Sequence, residues 1–219
     1  MFEELDLMQP GESFDGAMQM ALDEVLLRRV TRPLLRIYQW DAPCITFGYF
    51  QKISDVRRLH PDLPAVRRWT GGGIVQHGKD MTFSLMVPKQ VAAASLPPSL
   101  FYKMLHHLIA KKVAHITHAE IIIAVESHTL TGDSCFKAPV LDDLILHGGK
   151  ILGGAMRRSG GALLYQGSLQ LPERSVTPEM LASAMSRVVT SYPAGDDIKI
   201  HAETLTASRY ALKSWNERR

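Results

Sequence analysis

Apolar residues follow a helical spacing near the N-terminal end of the chain. In the segment 13–30 they recur at i, i+3, i+4, i+7 and i+8, as Met18, Ala21, Leu22, Val25 and Leu26. The acidic residues Asp23 and Glu24 lie mostly off this stripe. Because residues at these spacings share one face of an α-helix, the pattern predicts an amphipathic helix.

Most of the remaining chain shows short apolar or alternating runs that are separated by glycine or proline, which is typical of β-strands. Strands are predicted within 34–40, 44–50, 65–86, 120–126, 144–153 and 162–171. The three isoleucines of 120–126 favour a buried position in a sheet. Further helices are predicted near 99–114, 177–190 and 203–216. No repeat or linker divides the chain, so we expect a single domain over 1–219 without a separate C-terminal accessory domain.

Composition narrows the class of protein. Of the 219 residues, 46% are hydrophobic and 21% are charged, which is enough to build a sizeable core. The net charge of +3 is too small to indicate a nucleic-acid partner. Two cysteines imply no disulfide framework. The acidic N-terminal residues do not fit a signal peptide, and no apolar stretch approaches the ~18 residues of a membrane span. We therefore expect a cytoplasmic protein with no membrane partner.

The stretch 133–155 carries the first candidate chemistry. Cys135 lies in a polar turn, and an apolar run, a Gly-Gly turn and Lys150 follow it. This order predicts a β-hairpin whose turn could bring Lys150 back toward Cys135. A nearby ammonium stabilises a thiolate and lowers the cysteine pKa. The alternatives remain open: Cys135 as a small buried residue and Lys150 as a solvated surface residue.

A triple glycine, Gly71 to Gly73, follows Arg67 and Arg68. Glycines let backbone N–H groups approach a ligand closely, and arginines bind carboxylates or phosphates with two hydrogen bonds. The alternative is a plain hairpin turn with surface arginines. His77, soon after, could orient a substrate or could be a structural histidine. The remaining histidines show no ligand spacing, so no metal site is predicted.

Several of these motifs, in this order, resemble the catalytic domains of lipoate–protein ligases, octanoyltransferases and biotin–protein ligases. Arg67-Arg68-Trp-Thr-Gly71-Gly72-Gly73-Ile-Val75-Gln-His77 is similar to the Arg-Arg-x-x-Gly-Gly-Gly-x-Val-x-His signature. Lys150-Ile-Leu-Gly153-Gly154-Ala155 is similar to the Lys-(Ile/Val)-x-Gly-x-Ala motif. Where the family strand usually has His before Gly-Ser, this chain has Gln166. The resemblance implies an α+β fold with a mixed, mostly antiparallel sheet flanked by helices.

Within this family, the residues around Cys135 resemble one octanoyltransferase branch, which carries Cys-Phe-x-Ala-Pro before the motif lysine. The resemblance implies that Cys135 takes an octanoyl or lipoyl group from acyl carrier protein as a thioester. Cys135 and Lys150 are then the catalytic residues. The implied substrate-binding residues are Arg67, Arg68, Gly71, Gly72, Gly73, Val75, His77, Gly153, Gly154 and Ala155. In this hypothesis Lys150 is also a candidate proton acceptor, and Val75, Phe83 and Leu152 are candidates to line an acyl tunnel.

The implied acceptor is a lysine of a lipoyl-domain protein, such as the glycine cleavage H protein or the E2 subunit of a 2-oxoacid dehydrogenase. A transferase of this kind needs no cofactor. The first alternative is a lipoate–protein ligase that uses ATP and Mg to form lipoyl-adenylate, in which Cys135 takes no part. The second is a non-catalytic lipoyl-domain binding module or the catalytic half of a split ligase.

Overall fold

The computed structural model describes residues 1–126, 139–171, 175–193 and 195–218. Within this part of the chain, eight strands form a large sheet and three form a small one. The strands are β1 (Phe2–Met8), β2 (Leu34–Tyr38), β3 (Cys44–Phe47), β4 (Ala65–Arg67), β5 (Ile74–His77), β6 (Met81–Val87), β7 (Ile122–Ile123), β8 (Leu144–Leu146), β9 (Gly149–Ser159), β10 (Ala162–Leu169) and β11 (Ser186–Ser191).

Helices lie between and after these strands. They are α1 (Gly16–Leu27), α2 (Ile53–Leu59), α3 (Pro98–Thr117), α4 (Pro178–Met185), α5 (Asp196–Leu205) and α6 (Lys213–Asn216), with a π turn at Thr206–Tyr210. Local sequence explains several of their ends. The Asp15 side chain accepts a hydrogen bond from the backbone N–H of Met18 and caps α1. Thr177 caps α4 in the same way, with Pro178 at the first helical position. In the described residues, no helix combines the length and apolar character that crossing a bilayer requires.

The large sheet has the strand order β11-β1-β2-β6-β10-β9-β8-β7. All neighbours from β2 to β7 are antiparallel, while β1 runs parallel to both β2 and β11. In the small sheet β3 lies between β4 and β5. The expected mixed, mostly antiparallel α+β fold is therefore confirmed.

Both faces of the central strands are buried. Leu35, Leu85 and Tyr165 lie in register and pack with α3 and α4. The adjacent residues Leu34 and Met86, together with Leu164, pack on the opposite face with α1 and α5. Successive side chains of a strand point to opposite faces, so the paired apolar residues of β2, β6 and β10 fill two cores at once.

Several expected elements differ in the structure. The predicted helix 177–190 ends at Met185 and continues as the parallel strand β11. The final helix is interrupted by the π turn, and β1 was not predicted. The predicted strand 120–126 is reduced to the edge strand β7, where Ile122 is 52% exposed instead of buried. For β1, β7 and β11, pairing with a neighbouring strand decided the outcome, and local propensity does not report such pairing.

The triple glycine does not close a hairpin. The strands on either side of it, β4 and β5, both pair with β3 and not with each other. Asp23 and Glu24 in α1 are also fully buried, although they lie off the apolar stripe. Each has a buried partner: Arg36 donates to Asp23 at 2.7 Å, and the Tyr210 hydroxyl donates to Glu24 at 2.7 Å.

The Arg67 side chain fastens the C-terminal segment to the small sheet. It is fully buried, and its guanidinium donates to the backbone carbonyls of Tyr49, Gln51, Trp215 and Asn216 over 2.7–3.1 Å. The indole N–H of Trp215 donates back to the Arg67 carbonyl at 3.0 Å. One buried cation therefore holds four backbone carbonyls from two segments that are distant in the chain.

A buried histidine connects α3 to the sheet. His106 Nδ1 lies 2.8 Å from the Asp142 carbonyl, and its Nε2 lies 2.7 Å from the Tyr165 hydroxyl. A carbonyl can only accept, so Nδ1–H donates to it and Nε2 accepts from Tyr165. Burial lowers the pKa of His106 to about 3, against the hydrogen bond to Asp142, which raises it.

We expect Arg67→Met to lower the free energy of unfolding by at least about 3 kcal/mol, because it leaves several backbone carbonyls without the donor that Arg67 provides. Urea denaturation followed by circular dichroism measures this. The matched control is Arg57→Met, which removes an exposed guanidinium paired with Glu217 and should cost less than about 1 kcal/mol. A folded Arg67→Met protein of wild-type stability would contradict the anchoring role.

Stability should also fall in mild acid because of His106. Its pKa is depressed in the folded state, so between pH 6.5 and 3 the unfolded chain binds the proton and the folded chain does not. From this group alone we expect a loss of ~2 kcal/mol between pH 7 and pH 5. His106→Gln keeps a donor and an acceptor but cannot titrate, so its stability should change less over this range. If the free energy of unfolding of the two proteins changed equally with pH, His106 would not be the titrating group.

Candidate functional site

Three rows of side chains cross the α1 face of the sheet. Strand register places Leu34, Met86 and Leu164 in the first row, Arg36, Ser84 and Gln166 in the second, and Tyr38, Thr82 and Ser168 in the third. Each row is two residues along the strands from the one before, so all three lie on the same face. The face thus changes from apolar core to polar residues and then to the wall of a cavity.

The carboxylate of Asp23 satisfies the polar row. It accepts from Arg36 at 2.7 Å, from the Gln166 amide at 2.7 Å and from the Ser84 hydroxyl. The Gln166 amide oxygen in turn accepts from the Thr70 hydroxyl at 2.6 Å. The network joins α1, the three central strands and the segment before the triple glycine.

The third row opens into a cavity between the two sheets. Its walls are formed mostly by apolar side chains and glycine backbone, with a few polar groups. The lining residues are Met20, Tyr38, Trp40, Thr46, Arg68, Gly72, Val75, His77, Thr82, Gly153, Gly154, Ala155, Gln166, Gly167 and Ser168. A mostly apolar pocket with a few convergent polar groups is typical of a small-molecule site.

His77 is held rigidly in this wall. Its ring stacks on Trp40, with centroids 4.4 Å apart, and its Nδ1 lies 2.8 Å from Asp80 Oδ2. Burial opposes the charge of Asp80, but hydrogen bonds from His77, Ser168 and Thr82 outweigh it and lower its pKa to about 2. The carboxylate can only accept, so the Nδ1–H of His77 donates to it. His77 Nε2 lies 2.8 Å from Oγ1 of Thr46, which also lines the cavity.

Arg68 holds the triple glycine in place. Its guanidinium donates to the carbonyls of Gly71 and Gly73 at 2.9 and 2.8 Å and to the Thr46 hydroxyl at 2.7 Å. Gly72 has a φ of +82°, which favours glycine. A Cβ on the neighbouring Gly48 would overlap the Gly72 carbonyl. Gly72 is therefore favoured by its φ and Gly48 by the close backbone approach, and Arg68 fixes that approach.

Lys150 lies against the opposite wall. Its Nζ is 2.8 Å from Asp143 Oδ2, and both side chains are almost wholly buried. Asp143 also accepts from the Tyr102 hydroxyl at 2.6 Å and from the Val140 backbone N–H at 2.7 Å. A Cβ on Gly153 would overlap the end of the Lys150 side chain. The absence of that Cβ lets the Lys150 ammonium reach the cavity wall.

The structure brings together part of the expected site. Arg68, Gly72, Val75, His77, Gly153, Gly154 and Ala155 line the cavity, and Lys150 adjoins it through Gly153. Arg67 does not line it, because its side chain points to the C-terminal segment. Gly71 and Gly73 direct their carbonyls to Arg68. Cys135 lies outside the described residues.

Other expected residues lie elsewhere. Phe83 and Leu152 belong to the core on the α3 face and not to the cavity wall. Cys44 is buried, and burial, followed by the charges of Asp80, Asp41 and Asp15, raises its pKa to about 12. Its thiol is therefore protonated near neutral pH and is a poor nucleophile. Among the described residues, no group of three or more metal-binding side chains could hold a metal ion.

Sequence reasoning missed Asp143, Tyr102, Thr46 and Asp80. Asp143 had a local signal, because two acidic residues directly before an apolar run are unusual at the start of a buried strand. Asp80 also had one, since it follows Gly78 in a tight turn next to His77. Tyr102 and Thr46 had none, because each acts through a residue that is distant in sequence.

Comparison with known proteins places this architecture in a family. The family model described as the lipoyl protein ligase A/B catalytic domain matches residues 15–194. The chain is 27% identical to the octanoyltransferase LipM of Clostridioides difficile, over 80% of this chain and 72% of that protein. It is 33% identical to the octanoyltransferase LipM of Oceanobacillus iheyensis, over 76% of this chain and 63% of that protein. The expected class, a transferase enzyme, agrees with these names.

Solved structures share the fold. A candidate lipoate protein ligase of T. acidophilum superposes with a TM-score of 0.75 at 19% identity, over the whole of both chains. A bi-partite lipoate protein ligase of Thermoplasma acidophilum, described with its E2 lipoyl domain, gives 0.65 at 18% identity, over 99% of this chain and 97% of that one. At such identities the likeness shows the fold alone. The sequence match supplies the rest: this chain belongs to the lipoyl protein ligase A/B catalytic domain family.

Proposed function

We propose that this protein transfers an octanoyl group from acyl carrier protein to a lysine of a lipoyl-domain protein, through a thioester on Cys135. The observation that carries the proposal is the buried Lys150–Asp143 pair at the wall of a mostly apolar cavity. It provides a fixed cation beside a space for an acyl chain. The names of the relatives, which are octanoyltransferases, support the same acyl group.

The first step in this proposal forms acyl-Cys135. The Lys150 ammonium stabilises the Cys135 thiolate, which attacks the thioester carbonyl and expels the carrier thiolate. The carrier thiolate takes up a proton as it leaves. Backbone N–H groups near Gly72 or Gly153 are the candidate donors to the tetrahedral oxyanion. One thioester replaces another, so the acyl group stays activated and no ATP is consumed.

The second step moves the acyl group to the amine of the acceptor lysine, which forms an amide and regenerates the Cys135 thiol. The attacking amine must lose a proton. Lys150 is one candidate to accept it, but only after its ammonium has given up a proton, for which the hydrogen-bonded Asp143 carboxylate is the nearest acceptor. His77 is the other candidate: its Nδ1–H donates to Asp80, and its Nε2 would take the proton in place of its hydrogen bond with the Thr46 hydroxyl.

A lipoyl domain as the acceptor is supported by one relative in particular. The bi-partite ligase of Thermoplasma acidophilum is described with its E2 lipoyl domain. The E2 subunit of a 2-oxoacid dehydrogenase and the glycine cleavage H protein are therefore the acceptor candidates. ATP-dependent ligation of lipoate remains the competing activity within the family, and it requires ATP and Mg instead of a thioester.

Incubation with octanoyl–acyl carrier protein should give one octanoyl adduct in intact-protein mass spectrometry. Cys135→Ala should abolish it, and hydroxylamine should remove it from the wild type because thioesters are labile to this nucleophile. Cys44→Ala is the matched control and should keep the adduct, since that thiol is buried and protonated. No adduct, with AMP formed from ATP and lipoate, would indicate a ligase. If neither the adduct nor AMP forms, the binding-module or split-ligase alternative remains.

Asp143→Asn should lower the rate of adduct formation about a hundredfold, because a small displacement of a reacting or charged group costs that much. The matched control is Asp142→Asn, at the preceding residue. Asp142 has a φ of +68°, which asparagine tolerates, and among the described residues its carboxylate has one ion-pair partner, His107 at 3.8 Å. Equal rates for the two variants would contradict the role of the Lys150–Asp143 pair.

A further inference from the structure

The outward face of α3 carries two parallel rows of side chains. Leu100, Met104 and Leu108 form one row, and Lys103, His107 and Lys111 form the other. Each row has i, i+4 spacing, which makes it a ridge along the helix surface. Leu100 and Met104 are 42% and 39% exposed, and the same groove is lined by Ile121 and Ile123. We call these two rows the α3 surface.

The charge of the α3 surface is one-sided. The 20 residues of α3 include three lysines and three histidines but no acidic residue, although one of the histidines, His106, is buried. In the described part of the chain, no carboxylate pairs with Lys103, Lys111 or Lys112, and His107 lies 3.8 Å from the Asp142 carboxylate. The helix dipole favours cations in the last turn only and does not account for Lys103.

We propose that the α3 surface docks an acidic amphipathic helix of the carrier protein that delivers the acyl group. This inference rests on the proposed function. Two ridges at i, i+4 spacing match the ridges and grooves of a partner helix. The basic row complements acidic side chains, and the apolar row supplies exposed hydrophobic area beside it. The surface extends over about three helical turns.

The position of the surface favours the acyl donor over the acyl acceptor. Tyr102 and His106, on the inner side of α3, contact the Asp143 segment and Tyr165. The α3 surface lies on the opposite side of this helix, and a helix with its side chains is about 10 Å across. An acceptor must bring a lysine amine to the acyl carbonyl, and a lysine side chain has a short reach. A carrier holds its acyl group on a pantetheine arm, which is several times longer and can span that distance.

A binding measurement tests the proposed docking on the α3 surface and does not depend on catalysis. The dissociation constant of octanoyl–acyl carrier protein is measured by isothermal titration calorimetry with wild type and with Lys103→Glu/Lys111→Glu. We expect at least tenfold weaker binding for the variant and strong salt dependence for the wild type. The matched control is Lys89→Glu/Arg187→Glu, which makes the same charge change on exposed residues outside α3 and should bind like wild type. Leu100→Ser/Met104→Ser tests the apolar row and should also weaken binding.

Each outcome decides the inference. Wild-type dissociation constants for the α3 variants, or equal weakening in the control, would overturn it. Weaker binding of the lipoyl domain instead of the carrier would also overturn it. A rise in KM for octanoyl–acyl carrier protein, with an unchanged KM for octanoyl-pantetheine, would support docking. If the carrier binds through this surface but no adduct forms on Cys135, docking stands and the proposed transfer fails. Circular dichroism shows whether each variant is folded.

Discussion

One buried carboxylate, that of Asp23, holds the centre of this fold together. It accepts hydrogen bonds from Arg36, Ser84 and Gln166, which stand in register on three neighbouring strands. Each of these donors would cost about 1–3 kcal/mol if it were left unsatisfied in the core. Helix α1 therefore has one permitted position over the sheet. The row beyond it lines the cavity, so the shape of the site depends on the same carboxylate.

A pair of glycines in β9 and β10 makes room for two aromatic rings that pack against these strands. Gly154 and Gly167 stand opposite each other in the ladder. A Cβ on Gly154 would overlap the Tyr165 ring, and a Cβ on Gly167 would lie 2.6 Å from Phe83. Without these side chains, the Tyr165 hydroxyl reaches His106 on α3 while the other face of the strands stays open as cavity wall. The motif glycines thus serve the core and the site together.

Periodicity predicted most of the strand and helix segments, and the resemblance to a known family supplied the fold class and the motifs that lie at the cavity. It did not predict how Asp23, Glu24 or Asp143 are used, since each is satisfied by partners far away in the chain. Periodicity placed Asp23 and Glu24 off the apolar stripe as if they faced water, but α1 is covered on both sides. The edge strands β7 and β11 were also poorly predicted, because each is a strand through its pairing with a neighbouring strand and not through its own sequence.

The two adjacent arginines show how strand alternation divides a motif. Arg67 and Arg68 are consecutive, so their side chains leave the chain on opposite sides. Arg67 anchors the C-terminal segment, whereas Arg68 reaches the cavity and braces the carbonyls of the triple glycine. The same motif therefore serves two different purposes. Arg67 links the small sheet to the C-terminal segment, so its loss affects the stability of the fold. Arg68 fixes the glycine backbone that forms part of the cavity wall, so its loss affects the shape of the site.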